Sequence, residues 1–294
     1  MTETPSPGTD AAPPGRTARP VRSQHVLVVE RTERVSPHLV RVHLGGPAFD
    51  GFVEAGEVQL AATDTYVKLL LARPGLGLQP PFDLDALRAE LAPDDLPVRR
   101  TYTIRSVDRA ARTIAIDFVV HGDEGVAGPW ALSARPGDRL SMSSPGGLWA
   151  PHPGPDVEHL LLGDDSAVPA IAAALEAMTA DARGLALIEV DTAADELALA
   201  RPAGVELRWL HREGTATPGV PLVAALRALE RPAGRIAVFA HGERGAMKEA
   251  RVVFQDEWHL DRASLSLSAY WALGRAEDRF QAEKREPVGV IFAD

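Results

Sequence analysis

The residues best suited to chemistry begin at Arg99-Arg100-Thr101-Tyr102-Thr103-Ile104-Arg105. A guanidinium, a flat aromatic ring and two hydroxyls within four residues can clamp a phosphate, stack on a ring system and hydrogen-bond a ring nitrogen. On a strand, Arg100, Tyr102 and Ile104 share one face and Thr101, Thr103 and Arg105 the other. The bland alternative is an edge strand with a solvated basic stripe. A second group is Asp117-Phe118-Val119-Val120-His121-Gly122, followed by Gly125-Val126-Ala127-Gly128-Pro129-Trp130. It reads as a strand, a glycine-spaced turn and a short helix opening near Ala127, whose free amides and bare backbone suit a pyrophosphate. The third, Gly163-Asp164-Asp165-Ser166-Ala167-Val168-Pro169-Ala170, follows an apolar strand and opens a helix. Ser166 is expected as its N-cap, and Pro169 is tolerated in its first turn. An open α/β sheet binds ligands at such a place, although the run is neither G-x-G-x-x-G nor a Walker loop.

The elements that must position these groups divide the chain in two. From Gln24 to about Ser144, short β-rich runs (24–34, 39–44, 66–71, 101–107, 113–120, 139–143) alternate with turns, the pattern of an antiparallel barrel. Phe82–Leu91 interrupts it, with Leu84, Leu87 and Leu91 at helical spacing. After His152-Pro153-Gly154-Pro155, apolar strands at 159–162, 185–190, 207–210, 235–240 and 264–268 alternate with helices at 168–179, 222–229 and 246–258. That alternation predicts a parallel sheet covered on both faces. The expected layout is a disordered tail over residues 1–22, a β-barrel over 23–151, and an α/β unit with a C-terminal extension over 156–294.

Composition narrows the chemistry. The 294 residues contain no cysteine, which excludes disulfides, thiolate catalysis and Cys-ligated zinc or iron–sulfur centres. Any redox work falls to an organic cofactor or an N/O-ligated metal. The histidines have no metal-ligand spacing, and no Gly-x-Ser-x-Gly run supports a hydrolase. Lysine and arginine total 31 against 41 acidic residues, a net charge of −10. Such a surface disfavours nucleic acid and anionic membrane as partners. No apolar run reaches membrane-spanning length and residues 1–20 lack a signal-peptide core, so the expected compartment is the cytoplasm.

The three groups, with Ala240-His241-Gly242-Glu243 and Tyr270-Trp271-Ala272-Leu273-Gly274-Arg275, occur in one order from Ser23 to Glu283. In that order they resemble the siderophore-interacting protein family, a branch of the ferredoxin-reductase-like flavoproteins. The resemblance implies an FAD-binding barrel and a nicotinamide-binding α/β unit. Electrons would pass from NADH or NADPH through FAD to a ferric siderophore. By the family pattern, Arg100 binds the FAD pyrophosphate, Tyr102 packs on the isoalloxazine and Thr103 bonds near its N5. Thr101 and Asp117 belong to the same site; Val119 and His121 contact the ribityl or adenosine part, and Gly125, Val126, Ala127 and Gly128 complete the cradle. NAD(P)H docks at Gly163, Asp164, Asp165 and Ser166. Lys68 is expected to attract the anionic siderophore, with Arg275 and Lys248 as further positive charge.

Two departures from the family pattern stand out: Val126-Ala127-Gly128 replaces a P-A-S run, and Ala272 stands where the family has arginine. Asp191, after the strand at 185–190, can bond a ribose hydroxyl and repel a 2′-phosphate, whereas Arg212 favours the opposite. This leaves NADH against NADPH open, along with the siderophore's identity and the oligomeric state. Two rivals remain at this stage: a flavin reductase serving an iron–sulfur protein or quinone, and a noncatalytic siderophore binder.

Overall fold

The computed structural model describes residues 24–292 apart from 121, 123, 124, 215 and 216. The expected tail at 1–22 and His121 therefore lie outside the described residues.

Six strands close an antiparallel barrel: β1 (His25–Ser36), β2 (Leu39–Gly45), β3 (Tyr66–Leu71), β4 (Val98–Asp108), β5 (Thr113–Val119) and β6 (Arg139–Met142), in the order β1-β2-β5-β4-β3-β6. Alternation builds it. In β2, Val40, Val42 and Leu44 point into the core, and Ile114, Ile116 and Phe118 of β5 meet them there. Helix α1 (Phe49–Glu54), which the sequence reading did not anticipate, lays Phe49, Phe52 and Val53 against this core. Helix α2 (Leu84–Glu90) is the expected insertion; the Asp83 side chain caps it by accepting from the amides of Asp85 and Ala86. Helix α3 (Ala127–Ser133) plugs the barrel with Ala127 and Ala131.

The remaining strands, β7 (Val157–Asp164), β8 (Arg183–Val190), β9 (Val205–His211), β10 (Arg235–Glu243) and β11 (Leu265–Trp271), form one parallel sheet in the order β11-β10-β7-β8-β9. Central β7 is buried along almost its whole length, as a strand covered on both faces must be. Helix α4 (Val168–Ala177) lies on one face, between the sheet and β4; helices α5 (Val220–Arg227) and α6 (Arg244–Arg251) lie on the other. The chain runs β7-β8-β9 in one direction and then crosses to β10-β11. The strand ends of β7 and β10 therefore flank the switch point.

Two readings are corrected. The helix expected over 246–258 is α-helical only through Arg251. From Val252 to Glu257 it widens into π-type turns, the Trp258 amide reaching back five residues to the Val253 carbonyl. The extra residue per turn lets Val253 and Phe254 both enter the core. Strand β11 continues past Ser268 to Trp271, and beyond it stands a seventh helix, α7 (Glu277–Glu283).

Candidate functional site

The β4–β5 ladder runs from the Ile104–Ile116 pair to Asp108–Thr113 and stops there. Arg100 to Thr103 pair with β3 alone, so the barrel seam is open beside Asp117 and Val119. A cavity of about 520 Å³ occupies this gap and reaches across to the α/β sheet. From the barrel, Tyr66, Lys68, Arg100, Thr101, Tyr102, Thr103, Asp117 and Val119 line it. The sheet contributes Asp164, Asp165, Ser166 and Pro169 after β7, and Ser268, Tyr270 and Trp271 from β11. A third wall comes from Glu277, Gln281 and Lys284, in and just past α7.

Each wall is held from behind. Asp117 is buried and takes a bidentate pair from Arg41 at 2.6 and 2.8 Å. Its carboxylate thus braces the seam. Tyr102 packs on Phe118, ring centroids 4.4 Å apart, and burial raises its phenol pKa. Burial also raises the pKa of the Tyr270 phenol, against the pull of the Thr103 side chain. Arg100 contacts the Asp278 carboxylate at 3.3 Å. Arg105 and Glu176 pair at 2.5 Å between β4 and α4.

At the switch point Asp164 collects four donors: the Ser166 amide and hydroxyl, the Glu243 amide and the Trp271 indole N–H, the last two both at 2.8 Å. Burial raises its pKa while these bonds pull it down. Ser166 is consequently not the expected N-cap. Its hydroxyl is taken by Asp164, and Ala167 stands at the cap of α4 without a side-chain bond. A Cβ on Gly163 would meet Ala167 at 2.5 Å and the His241 carbonyl at 2.8 Å, so Gly163 serves the close packing of strand, loop and helix rather than the cavity wall. Burial pushes Asp165 up to about 6, against the pull of Arg212.

The C-terminal wall depends on one carboxylate. Glu283 is buried and accepts from Arg244 at 2.6 Å and from Arg275 and Arg279 at 2.9 Å, contacts that push its pKa down to about 2. This clamp seats α7 so that Phe280 packs on Ala269 and Ala272. The family's arginine position is thus filled here by a small buried residue on which α7 rests.

Several expected site residues are placed elsewhere. Arg275 is committed to Glu283, and Lys248 donates to the Val288 carbonyl at 2.8 Å; neither lines the cavity. Gly125, Val126, Ala127 and Gly128 also stand off its wall. Gly125 holds a left-handed φ of 77°, Val126 and Ala127 pack on the barrel core, and Gly128 approaches the Val119 carbonyl. Asp191 sits 3.8 Å from the Arg212 guanidinium, beyond the cavity lining. Conversely, Lys284 was missed. It lines the cavity with Lys68, and burial and the Lys68 charge lower its pKa, against the pull of Glu277. Nothing in the local sequence signals this, because α7 brings it there.

A closed antiparallel barrel opened at one seam, facing the switch point of a parallel sheet across a shared cavity, defines a flavoprotein reductase of ferredoxin-reductase-like fold. The family model for the siderophore-interacting FAD-binding domain matches residues 28–149, and that for siderophore-interacting protein matches 157–274. The ferric vibriobactin reductase ViuB of Vibrio cholerae is 32% identical over 270 residues, 89% of this chain and 94% of that protein. The NADPH-dependent ferric-chelate reductase of Escherichia coli is 32% identical over 251 residues, 83% of this chain and 91% of that protein. The crystal structure of the siderophore-interacting protein SipS from Aeromonas hydrophila superposes with a TM-score of 0.74 at 31% identity, covering 90% of this chain and 98% of that one. This chain belongs to the siderophore-interacting protein family.

Proposed function

We propose that the protein is an FAD-dependent reductase that takes electrons from a nicotinamide dinucleotide and delivers them to a ferric siderophore. The observation that carries the reading is the open seam between β4 and β5, facing the strand ends of the α/β sheet across one cavity. Its donor set fits a flavin dinucleotide: a guanidinium for the pyrophosphate, a ring for the isoalloxazine, and hydroxyls at its polar edge. FAD would supply hydride acceptance from the nicotinamide and one-electron delivery to each of two Fe(III) ions.

The chain's own residues bind and orient. Arg100 supplies the phosphate contact. Thr101 and Thr103 present hydroxyls along the edge of β4 that β5 leaves unpaired. The Asp164 hub fixes the loop at Asp165–Ser166 and the Trp271 indole, which leaves a firm wall for the dinucleotide. Lys68 and Lys284 give an acidic protein two local positive charges for an anionic iron complex. No proton-transfer residue is required, so positioning carries the rate. We assign the same cavity to the cofactor and its two substrates, and the compartment to the cytoplasm.

The test is anaerobic. The purified chain, loaded with FAD and given NADH or NADPH with a ferric siderophore, should release Fe(II) to a ferrous-specific chelator. Flavin reduction without Fe(II) formation would move the protein to another electron acceptor. Failure to hold FAD at all would end the reading.

A further inference from the structure

Arg212 follows β9 and is nine-tenths buried. Its guanidinium faces carboxylates from three places on the sheet: Asp165 after β7, Glu189 near the end of β8 at 3.2 Å, and Asp191 beyond β8 at 3.8 Å. Glu189 has no exposure and also accepts from the amides of Gly219 at 2.8 Å and Leu222 at 3.0 Å, at the start of α5. Although burial works against the guanidinium's charge, the two nearer carboxylates outweigh it and raise its pKa. One cation and three carboxylates leave the corner formally negative. The neighbouring cations are also occupied: His211 meets Glu196 at 2.8 Å, and Arg208 meets Glu206 at 2.6 Å.

In an open α/β sheet the acid after the second strand bonds the ribose 2′-hydroxyl, and a nearby arginine takes a 2′-phosphate when the site is built for one. Here the acid position is Asp191, still one-third exposed, while the arginine serves as an internal counter-ion. We infer that this corner accepts an unphosphorylated ribose, so that the electron donor of the proposed reaction is NADH, with Asp165, Glu189 and Asp191 setting the specificity by holding Arg212. A 2′-phosphate would bring about 1.5 to 2 negative charges to an already negative corner. To reach it, Arg212 would have to leave Glu189, a carboxylate with no access to water, and stranding that charge is costly. The Escherichia coli relative's name carries the opposite preference, which makes this chain's own corner the thing to measure.

The inference rests on the reductase reading, but its test does not need turnover. Binding of 5′-AMP and of 2′,5′-ADP to the FAD-loaded chain, whose own AMP-binding site is filled, is measured by calorimetry. 5′-AMP should bind about tenfold more tightly. Asp191→Asn and Asp165→Asn should each shift the ratio about threefold toward 2′,5′-ADP, a change that a purely structural role would not produce. Equal affinities, tighter 2′,5′-ADP binding, or no binding of either fragment by the parent chain overturns the inference. FAD reduction by NADH and by NADPH in the loaded protein is then compared. Reduction by neither sinks the reductase reading instead, and the fragment ratio still stands.

Discussion

Replacing Arg100 with alanine should weaken FAD binding, and the structure sets the size of the loss. A charge-assisted contact to a phosphate is worth about 1.5–3 kcal/mol. The guanidinium also has a second partner, because it contacts Asp278 at 3.3 Å, an aspartate whose side chain is 69% exposed. Exposed pairs of this kind contribute about 0–1 kcal/mol, and FAD must displace this one. The net cost of Arg100→Ala is then about 0.5–3 kcal/mol, or roughly two- to 160-fold in dissociation constant. Asp278→Ala acts in the opposite sense: with the competitor gone, FAD should bind up to about fivefold more tightly. In the double variant the benefit of removing Asp278 should vanish. Quenching of FAD fluorescence on titration with each flavin-free protein reads all four values. If Arg100→Ala binds FAD as well as the parent does, the phosphate role is wrong. If Asp278→Ala changes nothing while Arg100→Ala does harm, Arg100 keeps its role and the competition is refuted.

Lys68→Ala and Lys284→Ala should each raise the KM for an anionic ferric siderophore by up to about fivefold at low ionic strength, an effect that shrinks with added salt. Reduction of FAD by the dinucleotide should be unaffected, and an unchanged KM at low salt would remove both lysines from the substrate path. His241 supplies a pH prediction. Burial holds its imidazole down at about 3, against 6.5 for an exposed one. Below pH 6.5 the unfolded chain takes up a proton that the folded chain refuses until about pH 3, so stability is lost as pH falls through that window. At pH 5 the loss is about 2 kcal/mol. His241→Gln should flatten the fall in urea midpoint between pH 7 and pH 5; parallel pH profiles for parent and variant would show that the buried ring is not responsible.

The sequence made some features legible and hid others, for physical reasons. The barrel strands and the β/α alternation were readable because each buries a periodic apolar face. The Arg100–Thr103 cluster, inside β4, and the loop after β7 were readable because charged and hydroxyl side chains break the apolar pattern there. The third cavity wall was not. Helix α7 has a single large apolar residue, Phe280, and owes its seat to Glu283 meeting arginines up to 39 positions away. Arg275 and Lys248 look in the sequence like cations waiting for an anion, yet fixing the C-terminal segment uses them. Ser166 looks like a cap, but the buried carboxylate two residues before it is the stronger acceptor. Local pattern registers propensity and periodicity; it is blind to which charges meet after the chain has closed.

The Glu283 clamp also bears on how the protein is made. The cavity's first wall, at Tyr66, leaves the ribosome long before its last, at Lys284. At about 5–20 residues per second, the two are separated by roughly 10–40 s. During that interval the barrel can fold with its seam open, while the helix that completes the pocket does not yet exist. Flavin captured then would lack the Lys284 wall and meet Arg100 before Asp278 arrives to compete. Were Arg100 to hold the pyrophosphate as proposed, loading during synthesis would not meet the Asp278 ion pair that loading of the finished chain would have to open.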